Sequence, residues 1–171
     1  MPSQLPDISS HGIWSVSSFK QGHGVANLYD HSTTTYWQSD GAQPHWVSIK
    51  LDSRMVIHSI RLFLNIGQDE NYTPCQINIR AGSSQFDVQQ VHLVELEKEP
   101  RGWVEVKLSD NGAPLAAQFL LIEFPANYEN GLDVHVRQIQ IMGPPAAEAK
   151  FRAEKILPFT TTEFSMYDSF R

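Results

Sequence analysis

Histidine is the residue type in this sequence that could most readily ligate a metal or carry protons in catalysis. The 171-residue chain has seven histidines, which are His11, His23, His31, His45, His58, His92 and His135. No two of them have the four-residue spacing on a helix that a zinc protease needs. His58 lies on the apolar face of its predicted strand, which favours a core or edge histidine over a metal ligand. Spacing leaves open a three-histidine site assembled from different strands, but we predict no metal site and no cofactor.

Motifs for nucleophilic catalysis and phosphate binding are absent from the sequence. It contains no Gly-x-Ser-x-Gly elbow, no phosphate-binding glycine loop and no dinucleotide fingerprint. The single cysteine, Cys75, stands at the start of a predicted strand, and we expect a buried structural thiol. The carboxylate pairs Asp69-Glu70 and Glu97/Glu99 fall in polar, loop-like segments, where solvated charge is expected. We therefore predict that the chain is not an enzyme.

The charge balance argues against two classes of partner. Thirteen Lys and Arg residues against nineteen Asp and Glu residues give a net charge of −6. Binding to a nucleic-acid backbone needs a clustered basic surface, so nucleic acid is not the expected partner. No apolar run reaches the roughly 18–20 residues of a membrane span, and the first residues lack the pattern of a secretory signal. We expect a soluble protein of a reducing intracellular compartment.

Three polar segments with aromatic residues are candidates for a binding surface. They are residues 35–41, residues 69–74 and residues 127–133, and the last leads directly into a strand that carries Arg137. Period two places Arg137 beside core isoleucines, so its side chain must lie at a rim where it can reach a carboxylate or carbonyl. We expect Trp37 to fill the core, and Asn130 suits a turn with positive φ. Loops gathered at one end of a β-sandwich usually form the binding surface.

Alternating apolar residues indicate the strands that position these segments. Period-two or apolar runs occupy residues 13–16, 45–51, 56–66, 75–81, 91–96, 103–108, 118–124 and 135–142. Gly, Pro, Asn and Asp separate them, and no recurrent helices lie between them. Because helical crossovers are missing, the pattern predicts an all-β protein with an antiparallel sandwich or jelly roll.

The composition divides the chain into three parts. We predict an N-terminal extension over residues 1–11, a β-sandwich domain over residues 12–143, and a linker and C-terminal tail over residues 144–171. Gly143-Pro144-Pro145 stops the last strand, and the end of the chain is rich in aromatic residues. A tether carrying a docking peptide and a tail that packs on its own domain are both compatible with this composition.

Several motifs in order resemble the Doc domain family, which includes the tenth subunit of the anaphase-promoting complex. The resemblance runs from residue 14 to residue 142 and resumes in the tail. The motifs that carry it are Tyr36-Trp37-Gln38-Ser39-Asp40-Gly41, Gln43-Pro44-His45, Tyr72-Thr73-Pro74, Gly102-Trp103 and Asp133-x-His135-x-Arg137-Gln138-Ile139.

The resemblance implies a galactose-binding-type jelly-roll β-sandwich with a C-terminal docking tail and no catalytic activity. It further implies a substrate-recognition and processivity subunit of a ubiquitin ligase, in the nucleus and cytoplasm. Such a subunit would act with a WD-repeat co-activator as co-receptor for the destruction-box degron of substrates. Its other partners would be the remaining subunits of the complex, including tetratricopeptide-repeat scaffold subunits.

The resemblance also implies which residues bind. The positions that match the degron-facing loops of the family are Asn71, Asn130, His135, Arg137 and Gln138. Asn71 stands where a serine is common, and it offers hydrogen bonds with a different reach. In the tail, the terminal Phe170 and Arg171 match a family ending of Ile-Arg that implies docking on the repeat scaffold.

A second class of function is an intracellular carbohydrate-binding module, because galactose-binding folds often bind sugars through loop aromatics. The single cysteine and the lack of a secretory signal argue against it, since most such modules are secreted. A glycan array separates the two hypotheses.

Overall fold

A computed structural model describes residues 4–109 and 113–156 of the chain. This part of the chain consists mainly of strands joined by turns and longer loops, with little helix. The strands are β1 (Gly12–Val16), β2 (Trp37–Gln38), β3 (His45–Ile57), β4 (Ser59–Asn65), β5 (Gln76–Gly82), β6 (Gln89–Glu95), β7 (Arg101–Lys107), β8 (Leu115–Phe124), β9 (His135–Val136) and β10 (Gln138–Met142). The α-helices are α1 (Ile66–Asp69) and α2 (Ala146–Ala153), and 3-10 turns cover Ser9–His11, Val25–Leu28, Glu70–Tyr72 and Tyr128–Asn130.

The strands form two layers and a short ribbon. The larger sheet has the order β1-β3-β8-β5-β6, and the smaller one has the order β10-β4-β7. The ribbon pairs β2 with β9. Every pair of neighbouring strands in the described chain is antiparallel. The antiparallel sandwich that the sequence predicts is therefore confirmed.

The core lies between the two sheets because alternate side chains of their strands turn toward each other. From the larger sheet, Val47 and Ile49 are fully buried, and Ile60 and Leu62 of the smaller sheet belong to the same apolar cluster. Trp37 fills the core as predicted, with no exposed surface. Its indole nitrogen donates a hydrogen bond to a backbone carbonyl 2.9 Å away, so the buried polar group is satisfied.

Two predicted strands are each divided by a change of sheet. The predicted strand 56–66 ends one sheet at Ile57 and begins the other at Ser59. At the junction, the backbone of His58 donates to the carbonyl of Met142 in the smaller sheet. The predicted strand 135–142 is divided at Arg137 between β9 and β10. Period-two alternation continues through both junctions, so the sequence pattern does not reveal them.

The chain on either side of predicted domain 12–143 packs against it. Ile8 is 2% exposed and its backbone donates to the carbonyl of Ile141. Helix α2 packs on β3 and buries Ala149 completely. Arg54 of β3 donates hydrogen bonds of 2.6 Å to the carbonyls of Ala153 and Ile156 at the end of that helix. The predicted docking residues Phe170 and Arg171 lie outside the described residues.

Candidate functional site

A buried carboxylate, Asp69, organises one end of the sandwich. Asp69 ends α1 and is only 3% exposed. Arg137 donates two hydrogen bonds to its carboxylate, from Nε at 2.9 Å and from Nη2 at 2.8 Å. The ring nitrogen Nδ1 of His135 donates to the same carboxylate at 3.0 Å. The prediction that Arg137 reaches a carboxylate or carbonyl is confirmed, since its Nη1 also donates to the carbonyl of Thr33.

The partners of Asp69 determine its charge. Burial alone raises the pKa of a carboxyl group, because desolvation disfavours the charged form. Hydrogen bonds from His135 and Arg137 and the charge of the guanidinium outweigh burial, so the pKa of Asp69 falls below its ordinary value of 3.8. Asp69 is therefore a carboxylate at neutral pH. The expectation of a solvated charge at Asp69 is wrong, because the side chain neutralises the buried Arg137.

Aromatic rings stack on both faces of His135. The ring centroids of Tyr36 and Tyr72 each lie 4.2 Å from that of His135, with interplanar angles of 23° and 18°. His23 stacks on Tyr36 at 4.3 Å and 8°. We call His23, Tyr36, His135 and Tyr72 the ring stack. His135 is 9% exposed, whereas Tyr72 is 37% exposed and forms the solvent end.

Gln138 holds the loop that follows the 3-10 turn Val25–Leu28. Its side-chain amide donates to the carbonyl of Asn27 at 3.0 Å and to that of Ser32 at 2.9 Å. Gln138 is 2% exposed, so its hydrogen-bonding groups face the protein interior. Together with the bond from Arg137 to Thr33, this fixes the segment that leads to Tyr36 of the ring stack.

Asn71 and Asn130 are the two exposed members of the predicted site. Each lies in a 3-10 turn, and the two turns contact each other. A Cβ built on Gly131 would lie 1.7 Å from the carbonyl oxygen of Asn71, so only glycine fits there. Asn130 has φ 56°, which confirms the predicted positive φ. The two asparagines are thus neighbours at the end of the sandwich where these loops lie, which we call the loop end.

The loop of Asn130 is tied to the sandwich by buried polar side chains. His45 is 1% exposed, and its Nε2 lies 2.6 Å from the carbonyl oxygen of Leu132. Ser39 donates to a carboxylate oxygen of Asp133 at 3.0 Å. Asn127 donates to the backbone carbonyl of Asp133 at 2.6 Å. These bonds give the loop a fixed position relative to the ring stack.

The five predicted degron-binding residues therefore fall into two groups. Asn71 and Asn130 present polar side chains to solvent, whereas His135, Arg137 and Gln138 are buried and bonded within the protein. The structure brings all five to one end of the sandwich, where His135 and Arg137 bond Asp69, the residue that directly precedes the turn of Asn71. Sequence reasoning missed Asp69 as the common partner of His135 and Arg137. The signal was Arg137 itself, because an arginine beside core isoleucines requires a buried acceptor.

Other candidate chemistry has no support in the described residues. Within residues 4–109 and 113–156, no group of three His, Cys, Asp or Glu residues could hold a metal ion. Cys75 is half-buried, and burial raises the pKa of its thiol above the ordinary value, which disfavours a nucleophilic thiolate. No helix in the described chain is long and apolar enough to cross a membrane.

Solved structures define the class of this fold. The family 32 carbohydrate-binding module of C. perfringens NanJ, in complex with galactose, matches with a TM-score of 0.67 and 14% identity, covering 82% of this chain and 100% of that one. A chitosan-binding module from Paenibacillus sp. IK-5 matches with a TM-score of 0.64 and 15% identity, covering 81% and 99%. At such identities the likeness shows the fold alone. The chain is a jelly-roll β-sandwich of the galactose-binding type.

Sequence relatives define the family. A family model described as "Anaphase-promoting complex, subunit 10 (APC10)" matches residues 3–169. The subunit 10 proteins of Dictyostelium discoideum and Homo sapiens are each 39% identical to this chain over 96% of its length, and the matches cover 86% and 88% of those proteins. Subunit DOC1 of Saccharomyces cerevisiae is 35% identical over 82% of this chain and 57% of its own length. The chain belongs to the family of anaphase-promoting complex subunit 10, which agrees with the prediction that it is not an enzyme.

Proposed function

We propose that this chain is a substrate-recognition and processivity subunit of the anaphase-promoting complex, a ubiquitin ligase of the nucleus and cytoplasm. In this role it binds the destruction-box degron together with a WD-repeat co-activator. The family match supports assembly with the other subunits of the complex. The degron surface is the loop end that carries Asn71 and Asn130.

The observation that carries the proposal is the contact between the exposed turns of Asn71 and Asn130, which buried polar side chains hold in place. Two amide side chains beside the exposed ring of Tyr72 offer donors and acceptors to the backbone of an extended peptide. Asp69, paired with the charge of Arg137, directly precedes the turn of Asn71 and fixes it. We assign the exposed pair to peptide contact and His135, Arg137 and Gln138 to positioning.

The strength of such contacts supports a co-receptor and not a stand-alone receptor. Each hydrogen bond on this surface contributes about 0.5–1.5 kcal/mol, so a few of them hold a peptide weakly. A second receptor that binds the same substrate raises the effective concentration of the degron at this surface. Substrate would then dissociate more slowly between successive ubiquitin transfers, which is the physical basis of processivity.

A reconstituted ligase tests this assignment. We expect the double change Asn71→Ala and Asn130→Ala to shorten the ubiquitin chains added per substrate encounter while the subunit still assembles. Gln90→Ala, an exposed amide on β6 at the edge of the larger sheet, is the matched control and should leave chain length unchanged. Unchanged processivity in the double variant would contradict the assignment.

The terminal Phe170 and Arg171 form the second part of the proposal. The terminal arginine matches the Ile-Arg ending that the resemblance associates with tetratricopeptide-repeat scaffold subunits. Deleting these two residues should lower co-purification with the scaffold subunits and leave the folded domain intact. Replacing Phe170 by isoleucine restores the Ile-Arg ending and is the companion variant. Co-purification at full yield after the deletion would count against tail docking.

Carbohydrate binding is the second candidate function. The solved relatives include a module bound to galactose. This chain also has a cleft of about 630 Å³ lined by Trp14 and Tyr29, whose rings lie 5.2 Å apart. Aromatic rings with nearby polar groups suit the apolar faces and hydroxyls of a sugar. Specific binding on a glycan array that is lost in Trp14→Ala would favour this function.

A further inference from the structure

The outer surface of the smaller sheet combines positive charge with exposed aromatic surface. Its strands β4 and β7 pair Phe63 with Trp103 and place the cations on the same face as these rings. We call this surface the basic face and define it by Arg61, Phe63, Arg101, Trp103 and Lys107. Strand β7 is the outermost strand of its sheet, so this face is also open along one edge in the described chain.

The three cations of the basic face have no carboxylate partner within the described residues. Four ion pairs of Lys or Arg with a carboxylate and three histidine–carboxylate contacts occur there, and none of them uses Arg61, Arg101 or Lys107. Glu105, the acidic residue among these cations, accepts a hydrogen bond from Ser59 at 2.9 Å instead. The chain as a whole carries a net charge of −6, so a patch of unpaired cations stands out against its surroundings.

Contacts within the basic face hold its groups in a defined arrangement. The guanidinium carbon of Arg61 lies 4.5 Å from the centre of the Trp103 ring, and Arg61 also donates to the side chain of Gln140. Phe63 meets Trp103 edge to face at 5.3 Å. Trp103 is nevertheless 39% exposed. An arginine stacked on a ring, as Arg61 is on Trp103, can still donate hydrogen bonds to a carboxylate, and the indole ring offers apolar surface.

A cleft of about 480 Å³ continues the basic face toward the start of β4. Arg61 and Lys107 line it together with His58 and the carboxylate Glu105. The Nδ1 atom of His58 is buried and has no hydrogen-bond partner among the described residues.

We propose that the basic face is a docking surface for an acidic segment of a partner protein. Carboxylates of the segment would meet Arg61, Arg101 and Lys107, and an apolar side chain would pack against Trp103. Charge complementarity selects the partner, because acidic segments are attracted to this face and repelled by most of the remaining surface. The five residues that define this surface include no member of the ring stack and neither of the exposed asparagines Asn71 and Asn130.

Fluorescence anisotropy with the full chain tests the proposal. The probe is a labelled nine-residue peptide with the sequence Glu-Ala-Glu-Ala-Leu-Ala-Glu-Ala-Glu, and its control has Gln in place of Glu. We expect the Glu peptide to bind with an affinity that falls as salt rises. The double change Arg101→Glu and Lys107→Glu should weaken binding about tenfold or more, since two attractions become repulsions.

Matched variants separate charge at this face from charge in general. Lys20→Glu and Lys50→Glu make the same change of net charge at exposed positions elsewhere and should leave the affinity unchanged. Trp103→Ala, which keeps every charge, should weaken binding as well. Equal binding of the Gln peptide, or an equal loss in the Lys20/Lys50 pair, would overturn the proposal. Preference for single-stranded DNA over the Glu peptide would overturn it in favour of nucleic acid.

Discussion

Gly131 lies so close to the backbone of Asn71 that no side chain fits between them. A Cβ atom on Gly131 would be 1.7 Å from the carbonyl oxygen and 2.7 Å from the carbonyl carbon of Asn71. The turn that presents Asn130 and the turn that presents Asn71 are therefore in direct contact through their backbones. The spacing of the two exposed amides depends on this one glycine.

Replacing Gly131 by alanine should separate the two turns. Since the clash is with backbone atoms, we expect a loss of about 1–3 kcal/mol in the free energy of unfolding and reduced processivity in a reconstituted ligase. Gly24→Ala is the control, because a Cβ there meets Phe19 at an ordinary contact of 3.6 Å. Urea denaturation measures both variants, and equal stability of the two would contradict the close approach.

Asp69→Asn should destabilise the fold strongly at neutral pH. The change leaves the Arg137 guanidinium buried without a counter-charge, which costs about 3–5 kcal/mol. Because the pKa of Asp69 in the folded chain lies below its ordinary value of 3.8, its contribution is fully present above that value. The contribution is lost as the pH falls through the folded pKa.

Denaturation measured from pH 7 down to pH 3 checks this expectation. The wild-type chain should lose stability below about pH 4 more steeply than Asp69→Asn, so the difference between them narrows in acid. Glu97→Gln, an exposed carboxylate, is the control and should follow the wild-type curve. Parallel curves for the wild type and Asp69→Asn would argue that Asp69 does not hold this pairing.

Tyr72→Ala should uncover one face of His135 and remove the solvent end of the ring stack. The loss of the 4.2 Å stacking contact should lower the free energy of unfolding by about 1–2 kcal/mol. Tyr72→Phe keeps the ring and should retain the stability of the wild type. If both variants unfold at the same denaturant concentration, the ring contact contributes nothing measurable.

Cys75 should react slowly with iodoacetamide in the folded chain. Burial raises the pKa of its thiol, so less thiolate is present at pH 7 than in an unfolded chain. We expect alkylation to be at least about fivefold slower than in urea, where the same cysteine is solvated. The chain has one cysteine, so mass spectrometry assigns the reaction to it directly. Equal rates would show an accessible thiolate.

Shortening the chain at residue 143 tests the predicted domain boundary. Helix α2 lies beyond it and buries Ala149 in the core and Ala153 against Val56 and Ala116. We expect residues 4–143 to melt about 3–8 °C below residues 4–156. Equal melting temperatures would show that the sandwich ends where the composition changes.

Alternation of apolar residues was enough to predict the architecture, because burying one face of a strand imposes period two. The predicted strands match β5, β6, β7 and β8 within a few residues, but the prediction ended β3 at residue 51 and joined its last residues to β4. The sequence does not predict β2, which has two residues, or α2, whose buried positions are small alanines in a charged segment. Such short or weakly apolar elements depend on contacts that are distant in sequence.

The candidate site was predictable only in part, because it too depends on contacts between residues that are distant in sequence. The resemblance located Asn71, Asn130 and the His135 stretch, but it did not distinguish exposed from buried members. Asp69 precedes Asn71 by two residues, and its polar local sequence predicts a solvated loop carboxylate. Its role depends on Arg137, which is 68 residues away in the chain. Local composition carries no information about such a pair.

The ring stack makes the loop end rigid before any ligand arrives. His23, Tyr36, Tyr72 and His135 come from separate stretches of the chain, and each ring restricts the rotamers of the next. Association with the proposed degron peptide would then reduce the conformational entropy of the peptide and leave that of this domain almost unchanged. Selection among peptides would therefore follow from how readily each one adopts the required extended shape.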